Sequence, residues 1–126
     1  DAMRRAVDAE HVGPYSPDLD AGLRDLMAEA LLGRPRDEGF EVIGTEGAQA
    51  GVGYAALACL DPGDRVVVTD PGYFHFVPAL RLAGAEPDWV RLGPGNGWRL
   101  DPEEVEAALT PRTRMVVVCD PVNPFG

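Results

Sequence analysis

The sequence of 126 residues contains no lysine, so all 11 basic side chains are arginines. A lysine amine can form a Schiff base with a carbonyl compound, whereas an arginine stays protonated and does not. Chemistry that requires a lysine nucleophile is therefore excluded for these residues by themselves. The arginines are outnumbered by 21 Asp and Glu, which gives a net charge of −10. This balance excludes the basic footprint of nonspecific nucleic-acid binding, and we expect no nucleic-acid partner.

Cysteine is also scarce, since Cys59 and Cys119 are the two in the sequence. Neither belongs to a CxxC motif, a Cys/His zinc spacing or a dense disulfide framework. We expect two buried free thiols in a reducing cytoplasmic compartment, and no metal. No apolar run reaches the roughly 18 residues of a membrane span, and the N-terminal DAMRRAVDAE lacks the apolar middle of a signal peptide. These features predict no membrane association.

Regular segments lie between the 15 glycines and 12 prolines. Residues 1–17 are predicted to be an irregular arm, and apolar residues at three- and four-residue steps predict an amphipathic helix over 18–33. Apolar and β-branched runs predict strands over 41–45, 65–69, 87–92 and 114–119, with helices over 47–60, 72–84 and 101–109. This alternation predicts an α/β fold with an open, mainly parallel sheet and helices on both faces, in three layers. We divide the chain into an N-terminal arm and helix (1–40) and the incomplete first part of a larger domain (41–126).

Ligands of open parallel sheets bind at the carboxyl ends of strands, which directs attention to the residues that follow 45, 69 and 119. After the first strand, Gly47, Ala48 and Gln49 begin a helix whose free N–H groups and dipole suit a phosphate. The alternative is that these three residues form an ordinary strand-to-helix turn, in which small side chains serve packing. The glycine spacing is not that of GxGxxG, and a Walker A loop would need a lysine.

The ends of the second and fourth predicted strands carry an aromatic ring and an amide. Pro71 and Gly72 turn the chain so that Tyr73 is presented at the sheet edge, where its ring can stack on a flat heteroaromatic ligand. Between two prolines, Asn123 lies in a rigid loop and offers a well-oriented hydrogen-bonding amide. Core packing is the alternative for the aromatic residue, and an Asn-Pro turn is the alternative for the amide.

Three segments together resemble the N-terminal third of pyridoxal-phosphate-dependent aminotransferases of class I/II, which have fold type I. The segments are TEGAQAGVGYAALACLDPGDRVVVTDPGYFHFVPALRLAGAEP, LDPEEVEAALTPRTRMVVV and PVNPFG, and the match runs from about residue 12 to the end. The resemblance implies pyridoxal 5'-phosphate as cofactor. It implies that Gly47, Ala48 and Gln49 hold the cofactor phosphate, that Tyr73 stacks on the pyridine ring, and that Asn123 hydrogen-bonds the phenolic oxygen.

The same resemblance implies how the chain would act. Tyr15 matches the tyrosine that reaches into the neighbouring subunit's site, so a homodimer or a heterotetramer-type assembly is implied. The activity implied is transamination of an amino acid, with the Schiff-base lysine supplied by a C-terminal half or a partner chain. This chain alone would hold no catalytic residue and would be inactive.

Three alternatives stay open at this point. A relative with lyase or racemase chemistry would use the same cofactor. A non-catalytic subunit with a regulatory or structural role would bind the cofactor or phosphate without the chemistry. An unrelated doubly wound domain that binds a nucleotide would share the fold by accident.

Overall fold

The computed structural model describes residues 2–8, 21–36 and 39–126, and the chain divides into two compact units, Asp1–Gly44 and Thr45–Gly126. The described part of the first unit holds two helices, and the second unit holds the sheet. In chain order the elements are α1 (Ala2–Asp8), α2 (Ala21–Leu32), α3 (Ala48–Cys59), β1 (Arg65–Asp70), α4 (Phe76–Leu82), β2 (Glu86–Arg91), a 3₁₀ turn (Pro94–Asn96), α5 (Pro102–Ala108) and β3 (Thr113–Val117). The domain boundary between residues 40 and 41 stays a prediction.

The first unit departs from the sequence-based expectation at its start. Residues 2–8 form α1, so the prediction of an irregular arm is wrong there. The prediction gave weight to the glycine and prolines from residue 13 onward, whereas residues 2–8 contain neither and include helix-favouring Ala, Met and Arg. The helix predicted over 18–33 is confirmed as α2, which ends before Gly33, a residue with φ of +66° whose N–H donates to Glu29 O at 2.9 Å.

The strand predicted over 41–45 is wrong. Among the described residues, the sheet has three strands and none of them lies at 41–45. The Ile43 side chain is 76% exposed, and the Glu41 carboxylate accepts the Val42 N–H. Glu41 also accepts Arg36 Nη1 at 2.6 Å, and this contact lowers the pKa of the Glu41 carboxyl. A β-branched pair is a strand only where a neighbouring strand offers hydrogen bonds, and the described sheet offers none to these residues.

The sheet has the order β2-β1-β3, and both pairings are parallel. The four residues 66–69 of the central strand β1 are all buried, as its continuous apolar run predicts. β1 and β2 confirm the predicted strands within a residue. β3 begins one residue before the predicted 114 and ends at Val117, where its pairing with Val68 of β1 stops, so Val118 and Cys119 follow outside the ladder.

Helices cover both faces of the sheet and confirm the three-layer α/β prediction. On one face, Ala56 of α3 and Leu80 of α4 pack with Val66 and Val68 of β1. On the other face, Val105 of α5 packs against a cluster that contains Val67 and Val90. Successive β1 residues point to opposite faces, and this alternation feeds two separate cores from one strand.

The connections between these elements follow local chemistry. α4 begins at Phe76, four residues later than predicted, and Pro78 lies in its first turn, where a missing N–H costs nothing. Gly84 follows this helix with φ of +82°, and a β-carbon there would lie 3.0 Å from the α-carbon of Pro62. At α5 the expected cap is confirmed, because the Asp101 carboxylate accepts the Glu103 N–H at 3.0 Å.

Arg65 pairs with both Glu86 and Asp88 of β2 and ties the amino ends of β1 and β2 together. Arg65 Nε donates to Asp88 Oδ2 at 2.9 Å, Arg65 Nη2 donates to Asp88 Oδ1, and both side chains are less than one-quarter exposed. The hydrogen bond from Arg65 lowers the pKa of the Asp88 carboxyl. A carboxylate with a lowered pKa stabilises the fold above its unfolded-state pKa of about 3.9, and this stabilisation is lost as the pH falls through the folded-state pKa.

We expect Asp88→Asn to lower the melting temperature at pH 7, because Arg65 loses a charged acceptor across two strands. The difference from the unchanged protein should shrink as the pH falls below about 4, since Asp88 is then being protonated in both folded and unfolded states. Thermal melts at both pH values measure this. Asp61→Asn, in an exposed turn, is the matched control. Equal losses from Asp88→Asn at both pH values would contradict the charge-based explanation.

Candidate functional site

The topology places a crevice between the carboxyl ends of β1 and β3. The connection from β1 to β2 passes through α4 on one face, and the connection from β2 to β3 passes through α5 on the other. The strand order therefore reverses between β1 and β3, and open α/β sheets bind ligands at this kind of reversal. The segments that leave the two strands are 71–75 and 118–126.

Tyr73 lies at this crevice and contacts Phe76 of α4. Its ring meets the ring of Phe76 edge-on, with centroids 5.0 Å apart and planes at 72°, and its carbonyl accepts the Phe76 N–H at 3.1 Å. The half-buried Tyr73 side chain borders a narrow niche of about 20 Å³ with Val68, Val117 and Cys119, which we call the β1–β3 niche. Tyr73 thus lies at the carboxyl ends of the two strands, the edge at which open α/β sheets bind ligands.

Gly72 allows the chain to place Tyr73 in this position, because there is no room for a side chain at residue 72. A β-carbon built on Gly72 would lie 2.6 Å from Thr69 O and 2.9 Å from Thr69 Oγ1. The turn therefore passes directly over the end of β1. Thr69 is a site residue that the sequence motifs did not indicate, although a polar side chain that ends an apolar strand is a usable signal for a site.

The N-terminus of α3 offers backbone N–H donors that have no partner among the residues that the structure describes. Gly47 precedes the helix with φ of 93° and ψ of 168°, and no side chain caps it. The Gly51 N–H donates to Gly47 O at 3.2 Å, so the N–H groups of Ala48 and Gln49 precede the first intrahelical bond. All three of Gly47, Ala48 and Gln49 are exposed, and a β-carbon on Gly47 would meet nothing within 4 Å. The arrangement fits a phosphate, which the helix dipole also favours.

Small residues bring α3 close to α4. A β-carbon on Gly53 would lie 3.8 Å from Ala79 Cβ, which is ordinary contact. Gln49 borders a cleft of about 420 Å³ with Pro78 and Leu82 of α4. The helix that begins with these free N–H groups, α3, therefore packs on α4, which is the helix that follows Tyr73.

The segment after β3 carries Asn123. Asn123 is exposed, Val122 before it is buried, and the Gly126 N–H donates to Val122 O at 2.7 Å. Val122 lines a cleft of about 590 Å³ that Thr69 and Trp98 also line. Thr69 therefore borders both this cleft and the β1–β3 niche, whereas Asn123 lines neither of them.

One aromatic contact in this segment was not expected from sequence. Trp98 and Phe125 stack with ring centroids 4.0 Å apart and planes at 10°. Trp98 has φ of 64°, an unusual value for a residue with a side chain. The stack joins the turn before α5 to the end of the Asn123 segment.

Other expectations have mixed outcomes. Tyr15 lies outside the described residues, so its role stays a prediction. Cys59 and Cys119 are free as expected, but the predicted burial is wrong for both. Cys119 is half-buried, and Cys59 is exposed because it ends α3 on the solvent side. Among the described residues, no group of three or more His, Cys, Asp or Glu could hold a metal ion, and no helix is long and apolar enough to cross a membrane.

Comparison with known proteins accounts for this arrangement. The family model described as aminotransferase class I and II matches residues 5–126. The chain belongs to this family. Members of the class I and II aminotransferase family generally use pyridoxal phosphate.

Individual aminotransferases agree in sequence and in structure. A probable aspartate aminotransferase of Streptomyces griseus is 36% identical over an alignment of 117 residues that covers 89% of this chain and 54% of that protein. A probable aspartate/prephenate aminotransferase of Thermus aquaticus is 37% identical over 131 residues, covering 100% of this chain and 33% of the relative. The aspartate aminotransferase of Thermus thermophilus with maleate superposes with a TM-score of 0.84 at 34% identity, over 98% of this chain and 33% of that one. The chain thus spans between about a third and about half of these relatives.

Proposed function

We propose that this chain forms the N-terminal part of a pyridoxal-phosphate-dependent aminotransferase that acts on an amino acid. The observation that carries the proposal is the position of Tyr73, whose ring borders the niche between the carboxyl ends of β1 and β3. The strand order reverses there, so an aromatic ring at this point is placed to contact a flat cofactor. Membership of the aminotransferase family supports the same conclusion.

We propose that the described residues contact the cofactor at three points. The free N–H groups of Ala48 and Gln49, with the space above Gly47, would hold the phosphate. The ring of Tyr73 would stack on the pyridine ring, and the exposed amide of Asn123 would hydrogen-bond the phenolic oxygen. When bound, the cofactor supplies an electron sink for the carbon next to the amino group of the substrate. This chain supplies binding and orientation.

The remaining parts of the site are proposed to come from elsewhere. The sequence has no lysine, so the lysine would belong to a C-terminal half or to a partner chain. We propose a homodimer or heterotetramer-type assembly in which Tyr15 reaches the neighbouring subunit's site. We also propose a cytoplasmic location, because an exposed free thiol such as Cys59 stays reduced there.

Exchange of Tyr73 tests the proposal in the intact protein. Tyr73→Ala should weaken binding of pyridoxal phosphate about tenfold, because the stacking surface is lost. Tyr73→Phe is the matched control and should retain most of the affinity, since it keeps the ring. Equilibrium dialysis followed by visible absorbance measures the bound cofactor. Equal affinities for the alanine variant and the unchanged protein would refute the role of Tyr73.

The same preparation separates an enzyme from a non-catalytic subunit. Borohydride reduction that fixes the cofactor covalently to the assembled protein, together with turnover of an amino acid, would exclude the regulatory or structural alternative. Cofactor binding without covalent fixation and without turnover would favour that alternative.

A further inference from the structure

A second groove lies on the other side of Tyr73, between α4 and the edge strand β2. Its volume is about 350 Å³, and we call it the α4–β2 groove. The residues that matter for its chemistry are Asp70, Tyr73, Phe74, Arg81 and Trp89. Unlike the β1–β3 niche, it includes a residue of β2 and no residue of β3.

The strand register explains why Trp89 belongs to this groove. Trp89 lies opposite Val68 in the pairing of β2 with β1, and Val68 packs in the cluster that contains Leu80 of α4. Neighbouring residues in a parallel register point to the same face of the sheet. Trp89 therefore stands beside α4, on an edge strand, with 45% of its surface exposed.

The charges of the groove leave one cation uncommitted. Asp70 Oδ2 accepts Arg91 Nη1 at 2.8 Å, so the acid of the groove already has a basic partner. Arg81 is exposed, and within residues 2–8, 21–36 and 39–126 no acceptor contacts its guanidinium. Such a guanidinium can donate two parallel hydrogen bonds to a carboxylate.

The walls of the groove are aromatic and open. Phe74 is 70% exposed and Trp89 is 45% exposed, although both are large apolar rings. Exposed rings beside a cation provide a stacking surface next to a charge anchor. The volume is at the lower end of the range for small-molecule sites, so it suits a single or fused ring rather than a larger molecule.

We propose that the α4–β2 groove binds a small aromatic carboxylate, with the carboxylate on the guanidinium of Arg81 and the ring against Trp89 and Phe74. The groove shares Tyr73 with the proposed cofactor site, whereas Phe74, Arg81 and Trp89 have no part in that site, and the groove would exist even if the chain bound no cofactor.

Calorimetric titration of the intact protein with three matched probes tests the proposal. Phenylacetate has both features, cyclohexylacetate has the charge without the aromatic ring, and 2-phenylethanol has the ring without the charge. We expect phenylacetate to bind with a dissociation constant in the millimolar range, and the other two to bind at least about fivefold more weakly.

Variants locate the binding. Arg81→Gln and Trp89→Leu should each weaken phenylacetate binding about five- to tenfold, because each removes one of the two anchors. Arg81→Lys and Trp89→Phe keep the charge or the ring and should retain part of the affinity. Arg112→Gln, an exposed arginine outside the groove, is the control and should leave binding unchanged. Circular dichroism verifies that each variant is folded.

The proposal is overturned by any of three results. The first is that phenylacetate fails to bind at concentrations up to about 20 mM, which is well above the dissociation constant expected for this site. The second is that cyclohexylacetate binds as tightly as phenylacetate. The third is that folded Arg81→Gln and Trp89→Leu proteins bind phenylacetate as tightly as the unchanged protein does, in which case the probe occupies another site, such as the proposed cofactor site.

Discussion

Leu80→Ala is expected to lower the free energy of unfolding by about 3 kcal/mol. Leu80 lies in α4, has no exposed surface, and is one of the three largest fully buried side chains of the described residues. It packs with Val66 and Val68 of the central strand and with Ala56 of α3. Removal of its branched end leaves a cavity between two helices and the sheet, and a close-packed core relaxes only in part.

Leu82 provides the control within the same helix. Its side chain is 79% exposed, so Leu82→Ala should change the stability by less than about 0.5 kcal/mol. Urea unfolding followed by circular dichroism measures both variants. Similar losses for the two leucines would mean that Leu80 does not carry the core between α4 and the sheet.

Gly72→Ala is expected to destabilise the protein by about 1–3 kcal/mol and to weaken binding of pyridoxal phosphate about tenfold. The new β-carbon would lie 2.6 Å from Thr69 O, and a backbone oxygen at the end of a buried strand cannot move aside cheaply. The turn must therefore shift, and Tyr73 moves with it. The stability effect depends only on the fold, whereas the binding effect rests on the proposed function.

Gly93→Ala is the matched control for this steric argument. Gly93 has φ of −156°, which any residue adopts, and a β-carbon there would meet nothing within 4 Å. Thermal melts and equilibrium dialysis should therefore show little change for this variant. A Gly72→Ala protein with unaltered stability would show that the turn is not constrained by Thr69, and unaltered cofactor affinity alone would count against the role of Tyr73.

The elements that sequence predicts correctly are those with a local cause. β1 is a continuous β-branched run between turns, and α5 begins at Asp101 because a capping carboxylate and a proline act within one turn. The failures have non-local or competing causes. Val42 and Ile43 are β-branched, but no strand of the described sheet pairs with them, and α1 forms because the breakers lie beyond it.

The candidate site shows the same division. The motifs predict Gly47, Tyr73 and Asn123 as site residues, and they predict that these residues follow strand ends. The side-chain contacts at the site cannot be predicted from the motifs, because they join residues that are far apart in sequence. Thr69 becomes part of the site through its position between two clefts, and Phe76 through its contact with Tyr73.

Residue identity and neighbours within a few positions account for the order of elements after residue 45 and for the family resemblance, and the absence of a lysine is likewise a property of the amino-acid sequence. Tertiary contacts instead account for the reversal of strand order between β1 and β3, for the entry of Leu80 rather than Leu82 into the core, and for the position of Arg81 and Trp89 at one groove. Strand pairing and helix packing set these outcomes, because both depend on partners that local sequence does not specify.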